Sequence, residues 1–128
     1  MFRYLAVFVG GGFGAALRFG IGSLALRFST GLFPLGTFLI NLSGSFLIGL
    51  LMTLFLDRPA MHPAWRLFLI VGILGGYTTF SSFEWETFVA FKSEAMLIAA
   101  MNVLLSVGLG FGGVWLGATI ATRFGLNR

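Results

Sequence analysis

No cysteine occurs anywhere in the chain, which removes disulfides, thiolate nucleophiles and sulfur ligands for metals. Histidine is almost as scarce. The one copy, His62, lies between Pro59 and Pro63 in a connector, where it reads as a solvated loop residue with no partner to make it a general base. Acids number four, and charged residues of all kinds make up only 9%, against about 25% in soluble proteins. Hydrolytic and metal-assisted chemistry therefore has nothing to stand on, and the chain does not read as an enzyme. Its net charge of +4 is no sign of a nucleic-acid partner, because the basic residues are scattered near the ends of apolar runs, as headgroup anchors are.

What is plentiful is apolar. Hydrophobic residues reach 58%, above the roughly 45–50% of soluble domains, and no core of this length hides that much apolar surface. The 19 glycines fit the same reading, since glycine lets membrane helices approach closely. A membrane span needs about 20 mostly apolar residues, and four such runs fit, over 4–26, 33–56, 65–91 and 95–122. They are joined by "RFSTG", "DRPAMHP" and "KSE"; the prolines of the second mark a helix stop and restart. The opening "MFRYLAVFVGGG" has the look of a signal peptide, but its apolar character continues through "LRFGIGSLAL", so it reads as an uncleaved first span. The fold expected is an all-α membrane protein, residues 1–128 forming a single four-helix transmembrane domain in the lipid bilayer.

Polar residues inside spans are functional candidates by default. In the first span Gly10, Gly14, Arg18 and Gly22 recur every fourth residue, a small-residue helix-contact line with a cation on it. Arg18 stands eight residues from Leu26, about 12 Å along the axis, so a buried, paired or water-facing role competes with snorkelling to the interface. The second span carries Thr37, Asn41 and Ser45 at the same interval, and the fourth carries Asn102, Ser106 and Gly110. One such stripe reads as interhelical hydrogen-bond glue. Two without formal charge point to a pathway lined by donors.

The third span is interrupted by "GGYTTFSSFEWE", residues 75–86. Gly75 and Gly76 are read as helix-ending residues, and Ser81-x-x-Glu84 has the form of a capping box that starts a new helix. Together they predict a discontinuous helix broken near the bilayer midplane. Its ends would offer carbonyls to cations and amides to anions. Phe80 and Phe83, three apart, would share a face of the second half. Their alternatives are packing, or presentation of positive ring edges to a small anion. Aromatic edges, an amide and hydroxyls make an anion site without a fixed cation to trap the ion.

The segments "GGGFGAALRF", "GTFLINLSGSFLIG" and "GGYTTFSSF" resemble those of the Fluc fluoride channels, and the resemblance runs along the whole chain. It implies a passive fluoride exporter that protects a microbe from cytoplasmic fluoride. It further implies an antiparallel, dual-topology homodimer with two pores and a structural sodium ion at the centre of the interface. The family's pore asparagine matches Asn41, its pore phenylalanines match Phe80 and Phe83, and its polar track on the fourth span falls on Asn102 and Ser106. The hydroxyls of Thr79, Ser81 and Ser82, with Thr37 and Arg18, complete the expected pore set. Sodium would be held by the backbone carbonyls of Gly75 and Thr78. Two departures stand out: Asn102 where tyrosine is common, and Ser82 where threonine is expected.

The residues themselves do not supply the dual topology. Arg3, Arg58, Arg66, Arg123 and Arg128 fall on one side and Arg27 and Lys92 on the other, five against two, which is a moderate orientation bias. Two rival classes are weighed as well. A small four-span multidrug exporter needs a membrane-embedded carboxylate, yet no acid precedes Asp57. A structural membrane subunit would tolerate loss of Asn41 and Phe80.

Overall fold

The computed structural model of the chain describes residues 1–29, 31–56 and 62–125, with residues 56, 124 and 125 described by backbone alone. Among the described residues all regular structure is helical. The elements are α1 (Phe2–Leu26), α2 (Leu35–Leu56), α3 (Pro63–Arg66), a π-helical segment (Leu67–Leu74), α4 (Gly75–Tyr77), α5 (Phe80–Lys92) and α6 (Met96–Gly125). Four stretches are long and apolar enough to cross a membrane: Phe2–Leu26, Leu35–Phe55, Pro63–Lys92 and Met96–Arg123. Most of the connector "DRPAMHP", including Arg58 and Pro59, lies outside the described residues, as does Arg128.

Local chemistry sets the ends. Pro34 immediately precedes α2, and its carbonyl accepts the Phe38 amide at 3.0 Å, so the helix starts past the proline. His62 caps α3, its Nδ1 accepting from the Ala64 amide at 3.2 Å, with Pro63 as the first helical residue. Between α5 and α6 the Ala95 amide returns to the Ala90 carbonyl at 3.0 Å and the Glu94 amide to Phe91 at 3.1 Å. Glu94 takes φ 60°, the left-handed residue that this C-terminal motif requires.

Packing follows two pairings: α2 lies chiefly against α6, and α1 against the Leu67–Leu74 segment and α4. The second is nearly backbone to backbone. A methyl on Gly14 would strike the Ile73 carbonyl, and one on Gly76 would strike the Gly11 carbonyl. This corrects the expected role of the glycine pair. Gly75 is helical at φ −64°, ψ −35°, the helix runs on to Tyr77, and Gly76 is small so that α1 can approach. A small core of Ile40, Leu74 and Tyr77, flanked by Ile48 and Leu51, joins α2 to the third span. The large exposed side chains of α1, α5 and α6 face outward, as expected where lipid is the solvent.

Candidate functional site

The helical run of the third span stops at Thr78 and resumes at Phe80. Thr78 lies at φ −79°, ψ 157° and Thr79 at φ −150°, ψ 113°, both extended. Extended backbone inside a span exposes peptide groups that lipid cannot satisfy, and here α2 supplies partners. Asn41 Nδ2 donates to the Thr79 carbonyl at 3.0 Å, while the Thr79 amide donates to Asn41 Oδ1 at 2.9 Å. A side-chain amide thus stands in for a neighbouring strand.

Thr79 also caps α5. Its Oγ1 accepts the Ser82 amide at 3.2 Å and lies 2.9 Å from Ser82 Oγ. The predicted capping box at Ser81 and Glu84 is therefore corrected: the helix begins at Phe80, so the cap falls on Thr79 and Ser81 is already inside the first turn. On the other side of the break the Thr78 amide and hydroxyl both donate to the Leu74 carbonyl, at 3.0 and 2.9 Å. The half-buried Arg18 guanidinium reaches the Thr78 carbonyl at 3.4 Å.

Two clefts meet at Thr79. The first, about 360 Å³, gathers Asn41, Gly75, Thr78, Phe80, Phe83 and Ser106 along its wall. The rings of Phe80 and Phe83 are 5.7 Å apart between centroids and inclined by 37°, so the expected shared face is observed. The second, about 500 Å³, holds Arg18, Thr37, Ser82 and Glu86. Most of the sequence-derived set is thus distributed over two cavities that share Thr79 in their walls.

Ser81 is exposed and lines neither cleft. Asn102 is 1% exposed and works inside the α5–α6 contact, donating to Thr87 Oγ1 at 2.8 Å. Thr87 passes its own proton to the Phe83 carbonyl at 2.7 Å. Ser106 donates to Asn102 Oδ1 at 3.3 Å, so Asn102 touches the first cleft only through Ser106.

Glu86 is the site residue that sequence reasoning did not single out. It accepts a 2.7 Å hydrogen bond from Thr37 Oγ1, and its second carboxylate oxygen is buried with no partner. The signal was available in principle, because an acid in an apolar span is a functional candidate. Its position three residues past Phe83 also puts it on the pocket-facing side of α5.

Proton bookkeeping shows what the arrangement can do. Asn41 has two amide protons and commits one to Thr79. Thr79 Oγ1 gives its single proton to Ser82 Oγ, which leaves the Ser82 proton uncommitted. Arg18 holds five donors and uses one. The clefts therefore present spare neutral donors and two aromatic rings beside one guanidinium, with the Glu86 carboxylate as the acid of the second cleft; the donors and the guanidinium suit a small anion.

Residues 5–118 match the family described as CrcB-like protein, Camphor Resistance (CrcB). The chain is 50% identical over 121 residues to the fluoride-specific ion channel FluC of Solibacter usitatus, covering 94% of this chain and 99% of that protein. It is 47% identical over 125 residues to the protein of the same name from Methylobacterium nodulans, covering 98% and 100%. For the Coxiella burnetii protein of that name the identity is 44% over 120 residues, covering 93% and 97%. Four apolar spans and full-length likeness to ion channels make this a multi-pass membrane protein and not an enzyme. With likeness running through all four spans, the chain belongs to the CrcB-like protein family.

Proposed function

We propose that the chain is a subunit of a fluoride-specific ion channel that lets fluoride leave the cytoplasm passively. The observation that carries the reading is the two-ended hold of Asn41 on the extended Thr79, which opens a donor-lined cleft beside Phe80 and Phe83. Fluoride is small and strongly hydrated, so a pore must replace much of its water while binding weakly enough for exit. The spare Asn41 and Ser82 protons and the Phe80 and Phe83 ring edges are the replacement, with Ser106 along the same wall and Arg18 and Thr37 in the adjoining cavity. Ser81, exposed in the single chain, joins the pathway only if a second subunit covers it.

A second copy in antiparallel orientation completes each pore, giving two per homodimer, with the interruption of the third span near the bilayer midplane. A structural sodium ion fits the residues at that centre. The Thr79 amide is turned to Asn41 and the Ser82 amide to Thr79 Oγ1, so the Gly75 and Thr78 carbonyls are without the amides four residues on that a continuous helix would give them; the Thr78 oxygen, which Arg18 reaches at 3.4 Å, would give the ion its second lone pair. Paired about a two-fold axis they offer four neutral oxygens, a set that suits a monovalent ion better than a divalent one, which recruits carboxylates. Bound there, the ion would add positive potential favouring anions on either side.

The test is fluoride efflux from liposomes holding the purified protein, against chloride efflux from the same vesicles. Fluoride release well above empty vesicles, with chloride retained, is the expected result. Equal release of both ions, or of neither, would overturn the reading.

A further inference from the structure

Tyr77 carries a hydroxyl that lies outside both clefts. Its ring is 7% exposed and packs in the core with Ile40 and Leu74, yet its oxygen is 2.8 Å from Ser43 Oγ on α2. Ser43 Oγ also stands 2.7 Å from the Leu39 carbonyl and 3.1 Å from the Ile40 carbonyl. Serine has one hydroxyl proton, and either oxygen could donate in the pair. With the serine proton turned to its own helix, as the 2.7 Å contact to Leu39 favours, Tyr77 donates and the bonds form a chain from Tyr77 through Ser43 to the backbone of α2.

The pair is one of three contacts between the same two segments. Asn41 holds Thr79, Ser43 holds Tyr77, and Gly44 lies so close that any side chain there would strike Thr78 Cγ2. Between them they fix three consecutive residues, on both sides of the point where the helix stops. Asn41 fixes only the far side. Without Ser43 and Tyr77, the near side would be set by apolar packing, which is less directional than a hydrogen bond.

We infer that Tyr77 and Ser43 are positioning residues whose hydroxyl pair fixes the aim of the Thr78 and Thr79 peptide groups, and through them the selectivity of the pathway. This rests on the channel reading given above. The proton order makes an asymmetric prediction. Tyr77→Phe removes the donor and leaves Ser43 bonded to its own helix. Ser43→Ala leaves the Tyr77 hydroxyl without an acceptor in surroundings where that is costly.

The experiment measures initial fluoride and chloride efflux from liposomes, together with the thermal midpoint of the purified protein, for both single variants and the double variant. Tyr77→Phe should keep the fold, because the ring remains, and slow fluoride about fivefold, the factor implied by one net hydrogen bond. The fluoride-to-chloride ratio should fall with it. Ser43→Ala should be slower still, and adding Tyr77→Phe to it should restore fluoride efflux to the level of Tyr77→Phe alone. A hydrogen bond of merely structural value would lower the thermal midpoint and leave the ion ratio untouched, which would overturn the inference. So would a double variant slower than Ser43→Ala. Unaltered protein that carries no fluoride would sink the channel reading itself, a result distinct from either.

Discussion

Where the third span meets α1, backbone meets backbone: Gly14 lies against Ile73, and Gly11 against Gly76. Where it meets α2, polar side chains carry the contact: Asn41 holds the Thr79 amide and carbonyl, and the Thr37 hydroxyl donates to the Glu86 carboxylate. Both contacts hold the same helix, and they solve different problems. Along α1 the third span has its own helical hydrogen bonds, and lipid gives no hydrophobic push between helices. Close van der Waals contact is then the available attraction, and small residues maximise it. Along α2 the third span leaves helical geometry at Thr78 and Thr79; the Thr78 amide still reaches Leu74, but the Thr79 amide and carbonyl are answered from outside, by Asn41. Polar side chains sit where the backbone leaves peptide groups open.

The comparison breaks most completely on the dry side. Gly14→Val places a branched side chain where the Ile73 carbonyl already is, and backbone cannot step aside as a flexible side chain can. We expect a loss of about 3 kcal/mol, the upper part of the overpacking range, seen as failure to recover monodisperse protein from detergent extracts. A Gly14→Val protein with the unaltered thermal midpoint would mean that the two helices are not in backbone contact.

On the polar side the effect moves from folding to transport. Asn41→Asp keeps an acceptor for the Thr79 amide but loses the donor to the Thr79 carbonyl, and it sets a negative charge beside the proposed anion path. Fluoride efflux should drop at least about 100-fold, equivalent to about 2.7 kcal/mol on a barrier. Wild-type throughput in this variant would remove Asn41 from the pathway.

Phe80→Ile and Phe83→Ile sharpen the contrast between packing and electrostatics. Isoleucine fills much of the ring's volume but has no positive edge. About a tenfold loss of fluoride efflux is expected from each, the upper end of what an aromatic interaction contributes, with assembly by size-exclusion chromatography unchanged. Full activity with isoleucine at both positions would return the pair to packing.

How legible was this from the sequence? The four spans were, because run length and hydropathy are local properties. Their ends fell within a few residues of the observed helices, the start beside Pro34 included. The cluster of hydroxyls in an apolar run was legible. Its construction was not. In "TTFSS" more than one residue can cap a helix, and the choice of Thr79 over Ser81 is made by Asn41, which lies 38 positions away. Gly75 and Gly76 satisfied the rule for helix ends and the rule for close approach equally well, and only the position of Gly11 decides between them. Glu86 went unread for the same reason, since its partner Thr37 is 49 positions distant. The π-helical stretch over Leu67–Leu74 carried no local signal, having neither proline nor a polar residue to announce it. Asn102 was read as part of a polar track, and the contact that buries it against Thr87 depends on how α5 turns back onto α6.

The smallest effect expected is at Ser82, where the chain departs from the threonine anticipated at that position. Ser82 Oγ accepts the proton of Thr79 Oγ1 at 2.9 Å, and its own amide is held by that same oxygen at 3.2 Å. Ser82 lines the cavity it shares with Arg18 and Glu86, and its own proton is uncommitted. Ser82→Thr keeps the oxygen, the proton and the amide, and adds one methyl to a half-buried position in the first turn of α5. A β-branched residue loses little rotamer freedom so near a helix start, and the neighbouring cavity of about 500 Å³ leaves room for a methyl. Fluoride efflux should stay within about twofold of the unaltered protein, since a change this size on a barrier is below about 0.5 kcal/mol. Ser82→Ala removes the acceptor and the spare donor together and should cost more. If the threonine variant were the slower of the two, the hydroxyl would not be what Ser82 contributes.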